Sequence, residues 1–302
     1  MATAQLTPVG VGIRNVLIAT DCSEFSNTAL AFGLQLATGV QAKAYVISVL
    51  PCDTFLLSGP EAYVGVRDAT ERDLAGLKTA LLRDGYREGE DYQLSLLEGD
   101  VIQSILDFAY QRQIDLIVVG THGRGGLGKM IMGSVAERVF RQSPVPVLTV
   151  GPHLPRAARG TVPRNLLLPV DFTPASELAA HYAVRMALQN DAKLTLLHVI
   201  ESWSPEAQAD RERVLQILKD KIASLLGEEA RGLHCCSRVE QGHVVPAILQ
   251  LAAEIEADLL VMGVPPSKGV FDRLIWPHAY EVVREARCPV LTVRADAAEG
   301  SL

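Results

Sequence analysis

A chain of 302 residues, 48% hydrophobic and 21% charged, has the make-up of a folded globular protein and the length of roughly two domains. Its net charge of −7 offers no overall basic surface for a phosphodiester backbone, and no apolar run approaches the ~20 residues of a membrane span. Nucleic acid and membrane are therefore set aside as partners, and the expected location is the cytoplasm. The five cysteines, Cys22, Cys52, Cys235, Cys236 and Cys288, make no C-x-x-C pair and no closed disulfide set, so reduced and mostly buried thiols are expected.

In chain order, an apolar strand over Asn15–Ala19 meets an Asp-Ser-rich turn, and a helix runs on to about Thr38. A strand over Lys43–Val49 leads to a variable segment and a charged helix over Ala69–Leu82. A third strand, Tyr92–Leu97, is followed by a helix opening near Asp100. The fourth strand, Leu116–Val119, reaches a glycine-rich loop, a helix starts at about Ser134, and a last strand covers Val145–Val150. The series then repeats. "NVLIATDCSEFSNTALAFGLQLA" from Asn15 aligns without a gap on "NLLLPVDFTPASELAAHYAVRMA" from Asn165, a shift of 150. "IDLIVVG" and "VPVLTV" return as "ADLLVMG" and "CPVLTV" at a shift of 143. Self-similarity at this spacing means two copies of one domain, expected at residues 1–152 and 164–302 with a linker at 153–163. Short continuous apolar strands between amphipathic helices give parallel sheets covered on both faces. The expected fold class is α/β, two tandem doubly wound five-stranded parallel-sheet sandwiches of Rossmann-like type.

The stretch "GTHGRGGLGKMIMGS", Gly120 to Ser134, fits three phosphate-binding patterns. Gly123, Gly125 and Gly128 satisfy G-x-G-x-x-G, but that fingerprint belongs to a first strand-to-helix turn with an acid about 20 residues on, and here the loop follows the fourth strand. Gly123, Gly128 and Lys129 satisfy most of G-x-x-x-x-G-K-[ST], but Met130 stands where a magnesium-binding hydroxyl is required. Gly120, Gly123, Gly133 and Ser134 satisfy G-x-x-G-x(9)-G-[ST] in full. In this last pattern, bare backbone approaches the ligand and the new helix aims free N–H groups and its positive dipole end at an anion.

On these residues the chain resembles the universal stress protein family, in two tandem copies. The resemblance implies an ATP-binding first domain, with Mg²⁺ carried on the phosphates. It implies adenine and ribose contacts at Ala19, Thr20, Asp21, Val49 and Val119, and phosphate contacts at Gly120, His122, Gly123, Arg124, Gly133, Ser134 and Val135. Lys129 and Arg124 either add charge to the phosphates or are solvated. The chain departs from the family at Ala19, where proline is frequent; the second copy has Pro169. Asp21 is equally a candidate N-cap for the helix that follows it.

In the second copy Gly263 stands over Gly120, but Pro266 stands over Gly123, Trp276 over Gly133 and Pro277 over Ser134. Proline lacks the N–H and an indole fills the phosphate space, so this copy is not expected to bind ATP in the family's way. It is either a built-in dimer partner, joined through Val145–Val150 and Pro289–Val293, or the holder of another ligand near Trp276 and His278. Asp171 remains there as a cap or an interdomain contact. No histidine pair, zinc spacing or G-x-S-x-G elbow points to catalysis, and His198 reads as a satisfied core histidine. The expected function is a nucleotide-dependent regulatory module with an unidentified protein partner, possible also as a homodimer of tandem chains. The alternatives are a weak ATPase or autophosphorylating enzyme, and a scaffold indifferent to nucleotide.

Overall fold

A computed structural model describes residues 12–121, 132–151, 154, 162–201, 212–217, 219–220, 232–265 and 277–295. The first copy runs β1 (Asn15–Ala19), α1 (Glu24–Gly39), β2 (Lys43–Pro51), α2 (Asp53–Arg83), β3 (Tyr92–Gly99), α3 (Val101–Gln111), β4 (Leu116–Gly120), α4 (Ser134–Gln142) and β5 (Val147–Val150). The second runs β6 (Asn165–Pro169), α5 (Pro174–Asn190), β7 (Lys193–Ile200), β8 (Cys235–Gln241), α6 (Val244–Glu254), β9 (Leu259–Val264), α7 (Pro277–Glu285) and β10 (Val290–Arg294).

Each copy forms a five-stranded parallel half of one ten-stranded sheet, in the order β3-β2-β1-β4-β5-β10-β9-β6-β7-β8. The repeated aspartate of "IDLIVVG" and "ADLLVMG" fixes the start of each half. Asp115 Oδ2 accepts the amides of Arg14 and Asn15 at 2.8 Å each, and Asp258 Oδ2 accepts those of Arg164 and Asn165 at 2.9 Å. Alternation along the strands then sorts side chains between the two faces. Val16, Ile18, Leu116 and Val118 pack with α1, α2 and α5, while Leu17, Ile117, Val119 and Val147 pack with α3, α4, α6 and α7. Leu154, inside the expected linker, is buried in the first of these clusters.

The halves meet through their last strands. β5 and β10 pair antiparallel in the register Val290–Thr149, Leu291–Leu148 and Thr292–Val147. Leu148 and Leu291 are equivalent under the 143-residue shift, so a pseudo-twofold axis passes between them. Thr149 Oγ1 donates to the Val290 carbonyl and Thr292 Oγ1 to the Val147 carbonyl, both at 3.1 Å. Each parallel half thus loses the bare edge at its last strand, which otherwise templates aggregation, and β3 and β8 remain the edges of the joined sheet.

Three expectations are corrected. The charged helix is longer than Ala69–Leu82, since helix begins at Asp53; Gly59, at φ 81°, and Pro60 interrupt it, as a residue without an amide hydrogen requires. The last strand starts at Val147, because Ser143 Oγ donates to the Val145 carbonyl and accepts its amide, a turn that uses those groups up. The thiols are not mostly buried. Only Cys288 is, and burial followed by the charge of Asp258 pushes it up to about 12; Cys52 and Cys235 are exposed. Cys235 and Cys236 open β8, and Cys236 Sγ lies 3.2 Å from Thr195 Oγ1.

Candidate functional site

In the first half the chain passes from β1 to β2 and β3 on one side, then returns to β4 on the other, so the strand order reverses between β1 and β4. In open parallel sheets the crevice at such a reversal, beyond the carboxyl ends of the strands, is where ligands settle. β1 and β4 stay paired to their ends, with Ala19 opposite Val119, and Ala19 is also opposite Ile47 of β2. Ala19, Val119 and Val49 all face the α3–α4 side of the sheet. Val119 is buried, whereas Ala19 and Val49 are half-buried. Three of the residues expected to wall a base are therefore brought together on one face.

The turn after β1 is held by its own side chains. Thr20 N donates to the Ile47 carbonyl at 2.9 Å, and Thr20 Oγ1 accepts the Cys22 amide at 3.0 Å. Thr20 Oγ1 and Ser26 Oγ lie 3.0 Å apart. Asp21 is not the N-cap of α1, a correction to that alternative. Ser23 is, accepting the Ser26 amide at 3.2 Å, while Asp21 Oδ1 accepts the Ser23 amide at 3.0 Å and so sets the cap residue in place. Between them Cys22 is left-handed at φ 61°. The second copy repeats the device with Phe172 at φ 62°, Thr173 as N-cap and Asp171 Oδ1 accepting the Thr173 amide at 3.0 Å and its hydroxyl at 2.6 Å. Desolvation pushes the Asp171 carboxyl up, but the hydrogen bonds from Thr173 and Ser176 outweigh it and hold it below the ordinary carboxylate range. Asp171 is thus a turn-setting residue rather than a cap. His198 donates from Nδ1 to the Val170 carbonyl at 2.7 Å and lies 4.9 Å from the Phe172 ring, a satisfied half-buried histidine as expected.

The other wall is the start of α4. α1, α3 and α5 each carry a side-chain cap, from Ser23, Asp100 and Thr173, whereas the cap residues of α2, α4 and α6, Cys52, Gly133 and His243, accept through no side chain; of these three only Gly133 has no side chain to offer. Orphan amides at a helix start otherwise need water, a side chain or a ligand. Gly133 has φ −59° and ψ 145°, angles open to any residue, so what glycine contributes is the missing side chain. Its own amide is committed to the Thr121 carbonyl at 2.7 Å. The available donors are therefore those of the first turn, at Ser134 and Val135, both exposed. Thr121 is a positioning residue that the sequence did not announce. Buried, it ties the end of β4 to the start of α4 and gives its own amide to Val150 at 2.9 Å. His122, Gly123, Arg124 and Lys129 lie outside the described residues, as do Pro266 and Trp276.

Gly120 shares the strand parity of Leu116 and Val118, which pack with α1. At its counterpart Gly263 an added Cβ would lie 2.3 Å from the Ala175 carbonyl carbon of α5. Close approach of the first helix demands glycine there even in the copy whose loop motif is broken. That second copy differs at the crevice too. β6 and β9 pair only over Leu166 and Leu167, and the ladder stops before Pro169, which has no amide to give. Among the described residues no helix is long and apolar enough to cross a membrane.

Comparison with known proteins agrees with this architecture. The profile of the Universal stress protein family matches residues 12–151 and again residues 163–294. Universal stress protein Rv1996 of Mycobacterium tuberculosis is 23% identical over 97% of both chains. Universal stress protein MJ0531 of Methanocaldococcus jannaschii is 29% identical over 45% of this chain and 81% of its own. The crystal structure of a universal stress protein from Archaeoglobus fulgidus shares the fold, with a TM-score of 0.72, 21% identity and coverage of 94% of this chain and 97% of that one. The chain belongs to the universal stress protein family, with the family's domain present twice.

Proposed function

We propose that the chain is a nucleotide-dependent regulatory module holding one ATP at the crevice between β1 and β4. The domains would be residues 1–152 and 164–302, joined by 153–163. The observation that carries the reading is a glycine-capped helix, α4, opening at the β1–β4 reversal beside an apolar face formed by Ala19, Val49 and Val119. A flat base suits that face, Asp21 at the end of β1 suits ribose hydroxyls, and the amides of Ser134 and Val135 with the Ser134 hydroxyl suit phosphate oxygens. Mg²⁺ would arrive on the phosphates and neutralise part of their charge. In the second copy α7 begins with Pro277, which lacks the donor, so one nucleotide per chain is the expected stoichiometry. Occupancy would then tune contact with a protein partner.

Calorimetric titration of the full chain with MgATP should give a stoichiometry near one per chain. Gly133→Trp should abolish binding by filling the space before α4, with no backbone strain, because the φ and ψ angles there are open to any residue. Two equal sites, or unchanged affinity in the variant, would overturn the assignment. Release of phosphate from γ-labelled ATP far above the Gly133→Trp background would instead favour an enzyme.

A further inference from the structure

We infer that Arg294, the last residue of the second domain's β10, is a positioning residue for the phosphate end of the first domain's crevice; this rests on the nucleotide reading above. Arg294 is buried, and its guanidinium Nη2 donates to the Phe140 carbonyl at 3.1 Å and the Arg141 carbonyl at 2.6 Å. Those carbonyls belong to the last turn of α4, among the four that a helix leaves without partners. α4 has nine residues, about 13 Å, and a helix so short holds its place through tertiary contacts rather than its own hydrogen bonds. It is fixed at its start by Gly133 and Thr121, along its side by Ala136, Val139 and Phe140, and at its end by Arg294. A cation at the carboxyl end also complements the helix dipole in the same sense as an anion at the amino end.

The arrangement is one-sided. Under the 143-residue shift the counterpart of Arg294 is Gly151, and an added Cβ there would sit 3.7 Å from the Ala286 carbonyl at the end of α7. The pseudo-twofold thus places Gly151 against the helix of the degenerate copy, where it supplies no donor, and Arg294 against the helix of the intact one. Between these two equivalent positions the second domain lends the first a guanidinium and the first returns none.

The test uses the full chain as wild type, Arg294→Met, which keeps the stem without donors, and Arg294→Lys, which keeps a cation. Each is titrated with MgATP and with adenosine. A positioning role predicts about three- to tenfold weaker ATP binding in Arg294→Met, a smaller loss in Arg294→Lys, and unchanged adenosine binding in both, since adenosine uses the strand ends and not α4. Equal ATP affinity in all three overturns the inference alone. An equal loss for ATP and adenosine also overturns it, by showing general loosening. Absence of ATP binding in the wild type overturns the nucleotide reading and the inference with it. Should Arg294→Met not fold, Arg294→Lys carries the same comparison.

Discussion

At the scale of single residues, the two aspartates that follow the first strands show how a carboxylate can be built into the local structure of a turn. Asp21 and Asp171 each hold the residue that caps the following helix, across a left-handed residue that strains the turn. The repeat made both visible as aligned acids, but not which residue was the cap, because Ser23 and Thr173 compete for the same role within two positions. Asp171 is the cleaner probe, since its carboxyl is held below its ordinary value. A carboxyl depressed in the folded state adds stability above its unfolded value near 4, and that stability is lost as pH falls through the folded value. Asp171→Asn should therefore be less stable than wild type by a constant margin above about pH 5, the margin shrinking as pH drops below about 4. Paired thermal melts across that range would show it, and a margin independent of pH would remove the carboxylate from the account.

At the scale of elements, Gly263, near the end of the second copy's fourth strand, is set by helix packing. Gly263 leaves no room for a methyl group under the start of α5. Gly263→Ala should displace that helix and cost about 1–3 kcal/mol, read as a lower urea midpoint at unchanged slope. A midpoint within error of wild type would show that α5 shifts freely. The sequence pattern gave the strand and its glycine; it did not give the reason, since the helix that presses on Gly263 lies some ninety residues earlier in the chain. α2 illustrates the opposite failure. Its first stretch falls where the shift between the copies changes from 150 to 143 and contains Gly59 and Pro60, so the sequence reads it as variable, while the chain is helical on both sides of the break.

At the scale of the whole molecule, antiparallel pairing of β5 with β10 makes two half-sheets into one and leaves the pseudo-twofold as the centre of the protein. A fragment ending at residue 152 would expose the β5 edge with Leu148 and Thr149, both buried in the whole chain. It should associate through that edge, and sedimentation should find dimers or larger species where the full chain of the same concentration does not form them by this route. A stable monomeric fragment would show that the edge is protected some other way.

The sequence by itself determined the repeat, the alternation of strand and helix, the intact loop motif in one copy and its loss in the other. Those are properties of local pattern: apolar period, spacing of glycines, and proline where an amide is needed. The tertiary structure alone decided what depends on contacts between distant segments. Those contacts gather Ala19, Val49 and Val119 onto one face, set Thr121 against Gly133, and reach from Arg294 across the pseudo-twofold to the far end of α4. No spacing along the chain encodes that last contact, because it joins residues 153 and 154 positions apart through a strand pair formed only when both halves have folded.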